Sequence, residues 1–236
     1  MAKLGIFGLE NIFSGGKANI VDERVDRLEE MFDSKKKVYI QAEMIYDPAK
    51  ISEADGIITD QELKLDLILS DLDFIETRLS RAESEEEKNL LGRLKMELEK
   101  ENLLNGINLS DSEKKIISSF QLRTIKPVYL AGSEEKENKD AILFKAYYNF
   151  GYSSFFTAAE KEARAWSIKN GMAAPEAAGA IHSDIQRGFI RAEVVHFDDL
   201  IKSGSLSAAR QAGLLKLENK EYVVQDGDWM LFRFNK

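Results

Sequence analysis

A glycine turn after a first strand lets backbone N–H groups wrap a phosphate. A lysine beside it neutralises charge, and a following Ser or Thr hydroxyl holds magnesium. Gly8, Gly15, Gly16 and Lys17 stand where such a loop would, behind the apolar run Lys3-LGIFGLENIF. The spacing departs from that pattern. Seven residues lie between Gly8 and Gly16 where a phosphate loop has four, and Ala18, after Lys17, has no hydroxyl. A glycine turn joining two strands accounts for the same residues. Asp47, in Asp47-Pro48-Ala49-Lys50, stands where a nucleoside triphosphatase keeps a magnesium ligand, but Lys50 replaces the glycine of D-x-x-G. An Asp before proline is ordinarily a turn former.

A second group of residues lies near the C-terminus. Arg164, Lys169, Arg187, Arg191 and Arg233 interleave with Trp166 and Phe189. Cations among aromatics can grip phosphates and stack bases, although an ordinary solvated sheet face reads the same way. His182 and His196 are the two histidines, and neither has a nucleophile nearby in sequence, so no catalytic role is expected of them. Without cysteine there are no disulfides, thiolate chemistry or iron–sulfur clusters, and two histidines argue against a metal centre.

The 236 residues carry a net charge of −8, all of it in residues 1–149, with 22 Lys+Arg against 30 Asp+Glu. Residues 150–236 balance at 11 against 11. This disfavours a global electrostatic attraction to nucleic acid, so DNA is not an expected partner, and leaves room for a local basic patch. Hydrophobic residues at 44% suit a packed core. No apolar run nears the roughly 20 residues of a membrane span, no signal peptide is recognisable, and a cytoplasmic location is expected.

The elements that must position these residues follow from periodicity. Val38, Ile40, Ala42 and Met44 alternate as one face of a strand, and Asp22 caps a helix whose inward face is Val25, Leu28 and Phe32. Leu65, Ile68, Leu72, Ile75, Leu79 and Ala82 are spaced 3-4-3-4-3, a coiled-coil seam. Leu91, Leu94 and Leu98 continue it after Ser84-EEEK, predicting an αα-hairpin. Residues 60–119 hold 9 basic and 15 acidic residues, so this arm is acidic. Ser110 and Glu113 form a capping box, Lys126-PVYLAG a strand, and Ala141-ILFKAYYNF a helix. Beyond residue 153, Ser154-FFTA, Ala163-RAWSI, Phe189-IRAEVVHF, Glu221-YVV and Trp229-MLFRF predict five strands, with helices near Pro175 and Asp198 and a tight turn at Asp226-Gly227.

In this last region the pieces FFT, KE-x-RAW, AP-x-AAG-x-IH-x-D, GFIRAEV, YVVQDGD and FRFN resemble the C-terminal TGS region of the YchF / Obg-like ATPase family over some 80 residues. Val21-DERVDRLEEMF, Leu67-ILSDLDFIETRLSR and Leu122-RTIKPVYLA are similar to upstream parts of that family. The resemblance implies an α/β remnant of a P-loop G domain with an inserted helical coiled-coil hairpin, plus an α+β TGS domain of β-grasp, ubiquitin-like fold. The expected bounds are 1–59 with 116–150 for the core, 60–115 for the hairpin and 151–236 for the TGS domain.

Family members bind and hydrolyse ATP or GTP and associate with the ribosome. Here the G-x-x-x-x-G-K-S pattern is missing, and so is the histidine of the second switch. The adenine-reading N-x-x-E has become Gly132-Ser133-Glu134-Glu135, with Glu135 alone retained. The resemblance therefore implies a non-catalytic binding or regulatory protein with no resident cofactor or metal. Its expected partner is the ribosome or a translation-related protein or RNA, and the acidic arm is a protein-docking surface. Two alternatives stay open. One is weak ATP or GTP binding with magnesium at Gly8, Gly15, Gly16, Lys17, Asp47 and Glu135. The other is RNA or a small nucleotide held by the TGS module through Arg164, His182, Arg187 and Arg191.

Overall fold

The computed structural model describes residues 1–13 and 16–235. In chain order its strands are β1 (Ala2–Phe7), β2 (Gly16–Ile20), β3 (Lys37–Val38), β4 (Ile40–Ile45), β5 (Gly56–Asp60), β6 (Val128–Ala131), β7 (Tyr152–Ala159), β8 (Glu162–Lys169), β9 (Phe189–His196), β10 (Lys216–Glu218) and β11 (Asp228–Phe234). Its helices are α1 (Glu23–Phe32), α2 (Lys64–Leu79), α3 (Glu85–Glu99), α4 (Asp111–Ile117), α5 (Lys139–Asn149), α6 (Ala174–Ile181), α7 (Ser183–Arg187), α8 (Phe197–Ser203) and α9 (Leu206–Gln211). The chain divides into two compact units, residues 2–18 with 42–150 and residues 19–41 with 151–236.

The first unit is built on a sheet of order β2-β4-β1-β5-β6. The neighbours β4/β1, β1/β5 and β5/β6 are parallel. Parallel strands are covered on both faces and read as continuous apolar runs, and Leu4, Ile6, Ile57 and Ile58 are all buried. Strand β5 was not expected from sequence, because Ile57-Ile58-Thr59 is too short a run to show a period.

Helices α2 and α3 pack against each other as a helical hairpin. Ile68, Ile75, Leu90, Leu91, Leu94 and Leu98 make its core, joined by Leu104 and Leu122 from the following chain. Arg78 pairs with Glu87 at 2.6 Å and Lys95 with Glu76 at 2.8 Å across the two helices. Two details differ from the sequence expectation. Leu65 is 47% exposed, so the seam starts one step later, at Ile68. The acidic Ser84-EEEK run is the first turn of α3, with Ser84 accepting the Glu87 N–H, and not a turn before it. Acidic residues in a first turn favour the helix dipole.

The second unit is a mixed six-stranded sheet of order β10-β9-β11-β7-β8-β3. Helices α6 and α7 close one face over Phe155, Ile168, Val194, Met230 and Phe232. The expected strand at Glu221-YVV is absent: that segment makes one isolated bridge, Val223 to Ala173, and β10 takes the edge position instead. Asp226-Gly227 therefore leads into β11 without closing a hairpin.

Residues 19–41, assigned from sequence to the α/β core, pack within this second unit. Strand β3 pairs with β8, Phe32 stacks on Trp229 with centroids 5.9 Å apart, and Arg24 lies 5.0 Å over the Phe156 ring. The single strand expected over 37–47 is thus two strands in two sheets, parted at Tyr39, whose hydroxyl donates to Asp26 at 2.5 Å. The period-two face survives in β4, where Ile40, Ala42 and Met44 are buried.

Candidate functional site

Open parallel sheets take ligands at the carboxyl ends of their strands. Here that edge carries Gly8 after β1, Asp47 after β4, Asp60 at the end of β5, and the Gly132–Glu135 turn after β6. Three of the nucleotide-site candidates, Gly8, Asp47 and Glu135, are therefore brought to one edge. Each is already engaged by this chain's own groups.

Gly8 has φ +72°, which favours glycine, and a Cβ there would lie 2.0 Å from Leu63 Cδ1. Its N–H donates to the Glu10 carboxylate at 3.1 Å. The chain then curls inward, with the Ile12 and Phe13 N–H groups donating to the Leu9 carbonyl at 3.0 and 3.2 Å, and Leu9 and Phe13 are buried. Where a phosphate loop presents open N–H groups, this segment presents a carboxylate and packs as an apolar plug. Gly16 and Lys17 open β2, the outer strand of the sheet, and are exposed. Gly15 lies outside the described residues.

Asp47 accepts the Ala49 N–H at 2.9 Å, and its carbonyl accepts the Lys50 N–H at 2.9 Å. It is an exposed turn former. The Glu135 carboxylate accepts the Tyr129 hydroxyl at 3.0 Å, the Gly132 N–H at 3.2 Å and the Lys145 ammonium. Lys145 is the main cause that holds the Glu135 carboxyl below its ordinary range, while burial and the same carboxylate push the Tyr129 hydroxyl up to about 12. Asp60, which sequence reading passed over, pairs with Lys136, and that contact holds its carboxyl low. Its signal was the apolar, β-branched run Gly56-IIT that it closes.

Asp71 was also passed over. It sits inside the hairpin pattern as one more acidic residue, yet it is buried, and its carboxylate accepts the N–H groups of Arg123 and Thr124 and the Thr124 hydroxyl. Among the described residues no group of three or more His, Cys, Asp or Glu side chains could hold a metal ion. No helix among them is long and apolar enough to cross a membrane.

In the second unit the candidate phosphate-gripping residues do not converge. In antiparallel β7/β8, Arg164 lies opposite Thr157, whereas Phe156 lies opposite Trp229 of β11. Residues opposite one another share a face and successive residues alternate, so Arg164 is on the helix-covered face with Phe155 and Phe232. Arg191 lies opposite Arg233, in step with Leu231 and Trp229, on the other face.

The remaining candidates are occupied. Arg164 pairs with Glu162 at 3.2 Å and lies 4.7 Å over Trp166, and the Lys169 ammonium lies 3.5 Å from the centre of the Tyr152 ring. Arg187 pairs with Asp184. His182 Nδ1 accepts the Asp184 N–H at 3.1 Å and so caps α7, and His196 Nδ1 caps α8 through the Asp198 N–H at 3.3 Å. Both histidines thus serve as N-caps, in the place of the usual Ser or Asp.

The family model YchF-GTPase_C, described as a protein of unknown function (DUF933), matches residues 152–235. A Bacillus subtilis protein named ribosome-binding ATPase YchF is 33% identical over 251 aligned positions, covering 79% of this chain and 68% of that protein. A rice protein named Obg-like ATPase 1 is 30% identical, covering 86% of this chain and 66% of that one. The Haemophilus ducreyi protein named ribosome-binding ATPase YchF is 45% identical over 101 positions, only 28% of its length. The chain thus spans about two thirds of the first two relatives and far less of the third. In fold it is similar to the structure of the Schizosaccharomyces pombe YchF GTPase, with a TM-score of 0.74 at 20% identity, covering 98% of this chain and 97% of that one. The chain belongs to the YchF / Obg-like ATPase family.

Proposed function

We propose that this chain is a cytoplasmic binding factor that works at the ribosome without hydrolysing nucleotide. The observation that carries this reading is the filled carboxyl edge of the parallel sheet. Leu63 occupies the space beside Gly8, Glu10 takes its N–H, and Lys136 and Lys145 are engaged by Asp60 and Glu135. A triphosphate would have to displace an apolar side chain and a carboxylate, and would meet cations whose charge is already matched. These residues do not fit ATP or GTP with magnesium, and no chemical step through a nucleotide is assigned to them. The second unit keeps a closed core, consistent with a TGS module of β-grasp type, and α2 with α3 forms the coiled-coil arm. The ribosome as partner is supported by the names of the Bacillus and Haemophilus relatives.

Two measurements test the reading. Purified chain layered with ribosomes on a sucrose gradient is expected to travel with them at low salt, and a chain that stays at the top at every salt concentration overturns the partner. Titration of a fluorescent ATP or GTP analogue with magnesium is expected to show no saturable binding. Micromolar affinity that is lost in Lys17→Ala overturns the non-catalytic part.

A further inference from the structure

The second unit has one concentration of positive charge that the residues named above do not explain. It lies on the sheet face opposite α6 and α7. Glu193 of β9 is 6% exposed, and its carboxylate accepts the Arg210 guanidinium at 2.8 Å and the Arg233 Nε at 3.1 Å. Arg233 contacts it a second time through Nη2. The outer parts of both arginines remain in solvent, with side chains 61% and 57% exposed. Arg191 lies opposite Arg233 on the neighbouring strand, is exposed, and its side chain makes no ion pair or hydrogen bond among the described residues. The register adds Leu217 and Leu231, both opposite Glu193.

Two guanidinium groups thus meet one carboxylate, and with Arg191 across from Arg233 the three cations outnumber Glu193 by two, on a unit whose C-terminal part is neutral by sequence. Glu193 uses the inner edge of each bonded arginine. Arg233 keeps Nη1 and Arg210 keeps Nη1 and Nε for a ligand. A buried carboxylate that orients two planar forks spends their ordering entropy before any ligand arrives. Planar forks carried by a strand pair and by α9 beside it suit phosphate oxygens.

We propose that Arg191, Arg210 and Arg233 form a phosphate-binding face for the backbone of single-stranded RNA. Arg191 is the free contact, and Glu193 is the positioning residue for the other two. The proposal takes its biological setting from the ribosome-associated reading above. It replaces the grouping of Arg164, His182, Arg187 and Arg191, of which the sheet register puts Arg164 and Arg191 on opposite faces. Exposed Leu217 and Leu231 suit ribose or an acidic polypeptide alike, so the test includes both.

The probe is fluorescein-labelled U20, titrated with the full chain and followed by anisotropy at several salt concentrations. Binding is expected to weaken about five- to tenfold in Arg191→Ala and in Arg210→Gln, with each variant lowering the log–log salt slope by about 0.7. Arg164→Gln, on the opposite face, is expected to leave binding unchanged. Circular dichroism melting checks that each variant folds, and Arg191→Ala removes no bond. The face is overturned if U20 does not bind or if Arg191→Ala binds like wild type. It is overturned in favour of a free phosphate ligand if tripolyphosphate binds as tightly as U20. Polyglutamate displacing U20 at equal charge assigns the face to an acidic protein and also overturns it. Gradient sedimentation separates this proposal from its setting: a chain that travels with ribosomes but ignores U20 loses the arginine face alone. One that binds U20 through Arg191 but never travels with ribosomes loses the ribosomal reading alone.

Discussion

Asp71 Oδ2 accepts both the backbone N–H and the hydroxyl of Thr124, each at 2.7 Å. The pair ties helix α2 to the chain that leads into β6, fifty-three residues later. Both residues are buried. The same carboxylate also accepts the Arg123 N–H at 2.9 Å. Asn at position 71 keeps the shape but turns an amide N–H₂ toward at least one of these donors. Asp71→Asn is expected to destabilise the first unit by roughly 3 kcal/mol, and Thr124→Val by about 1 kcal/mol. Urea unfolding followed by far-UV circular dichroism measures both, and a loss below about 0.5 kcal/mol in Asp71→Asn would show that the tie is incidental.

Gly8 is held between a positive φ and the Leu63 side chain. Alanine there adds backbone strain and a Cβ into occupied space. Gly8→Ala is expected to cost about 2 kcal/mol. The double variant Gly8→Ala with Leu63→Ala should recover only the packing part of that loss relative to Leu63→Ala. Full recovery would mean that the conformation at position 8 is unstrained.

Arg24 joins three groups of the second unit. It pairs with Asp22 and with Asp226, each at 2.8 Å, and lies over Phe156. Asp226 in turn accepts the Ser154 N–H at 2.9 Å. Arg24→Ala is expected to destabilise the unit by about 2 kcal/mol, since a largely buried partner, Asp22, is left uncompensated. Arg24→Lys should recover less than half, because an ammonium cannot serve both carboxylates and the ring. Hydrogen exchange across α1 and β7 reads the effect, and unchanged protection in both would refute it.

The Glu135 carboxyl titrates below the ordinary carboxylate range in the folded chain, chiefly through Lys145. Unfolded, it returns to about 4.3. Below that value the unfolded chain takes up the proton first, so the contribution of Glu135 is complete above about pH 5 and fades as pH falls through the folded value. Glu135→Gln is expected to narrow the stability difference between pH 6 and pH 3. Urea midpoints at several pH values in both proteins measure it, and parallel curves for the two would contradict the assignment.

Much of the architecture was legible in the residues because it is local. The alternation Ile40, Ala42, Met44, the heptad spacing from Ile68 to Leu79, the Ser110 capping box and the Asp22 cap each depend on a few neighbouring positions. They form as the periods require. The retained C-terminal pieces pointed to the family in the same way.

What escaped depended on partners far along the chain. Nothing near Tyr39 says that residues 37–38 join β8 while 40–45 join β1, because a strand's period does not name its neighbour. Asp71 reads as a solvated acid until Arg123 and Thr124 fold over it, and Glu193 as another until Arg210 and Arg233 meet on it. Spacing along the chain determined most of the helices, the acidic composition of residues 60–119 and the departure from the phosphate-loop spacing. Only the tertiary structure decided which side chains fill the carboxyl edge of the parallel sheet and which arginines share a face, because those follow from strand order and register between distant segments.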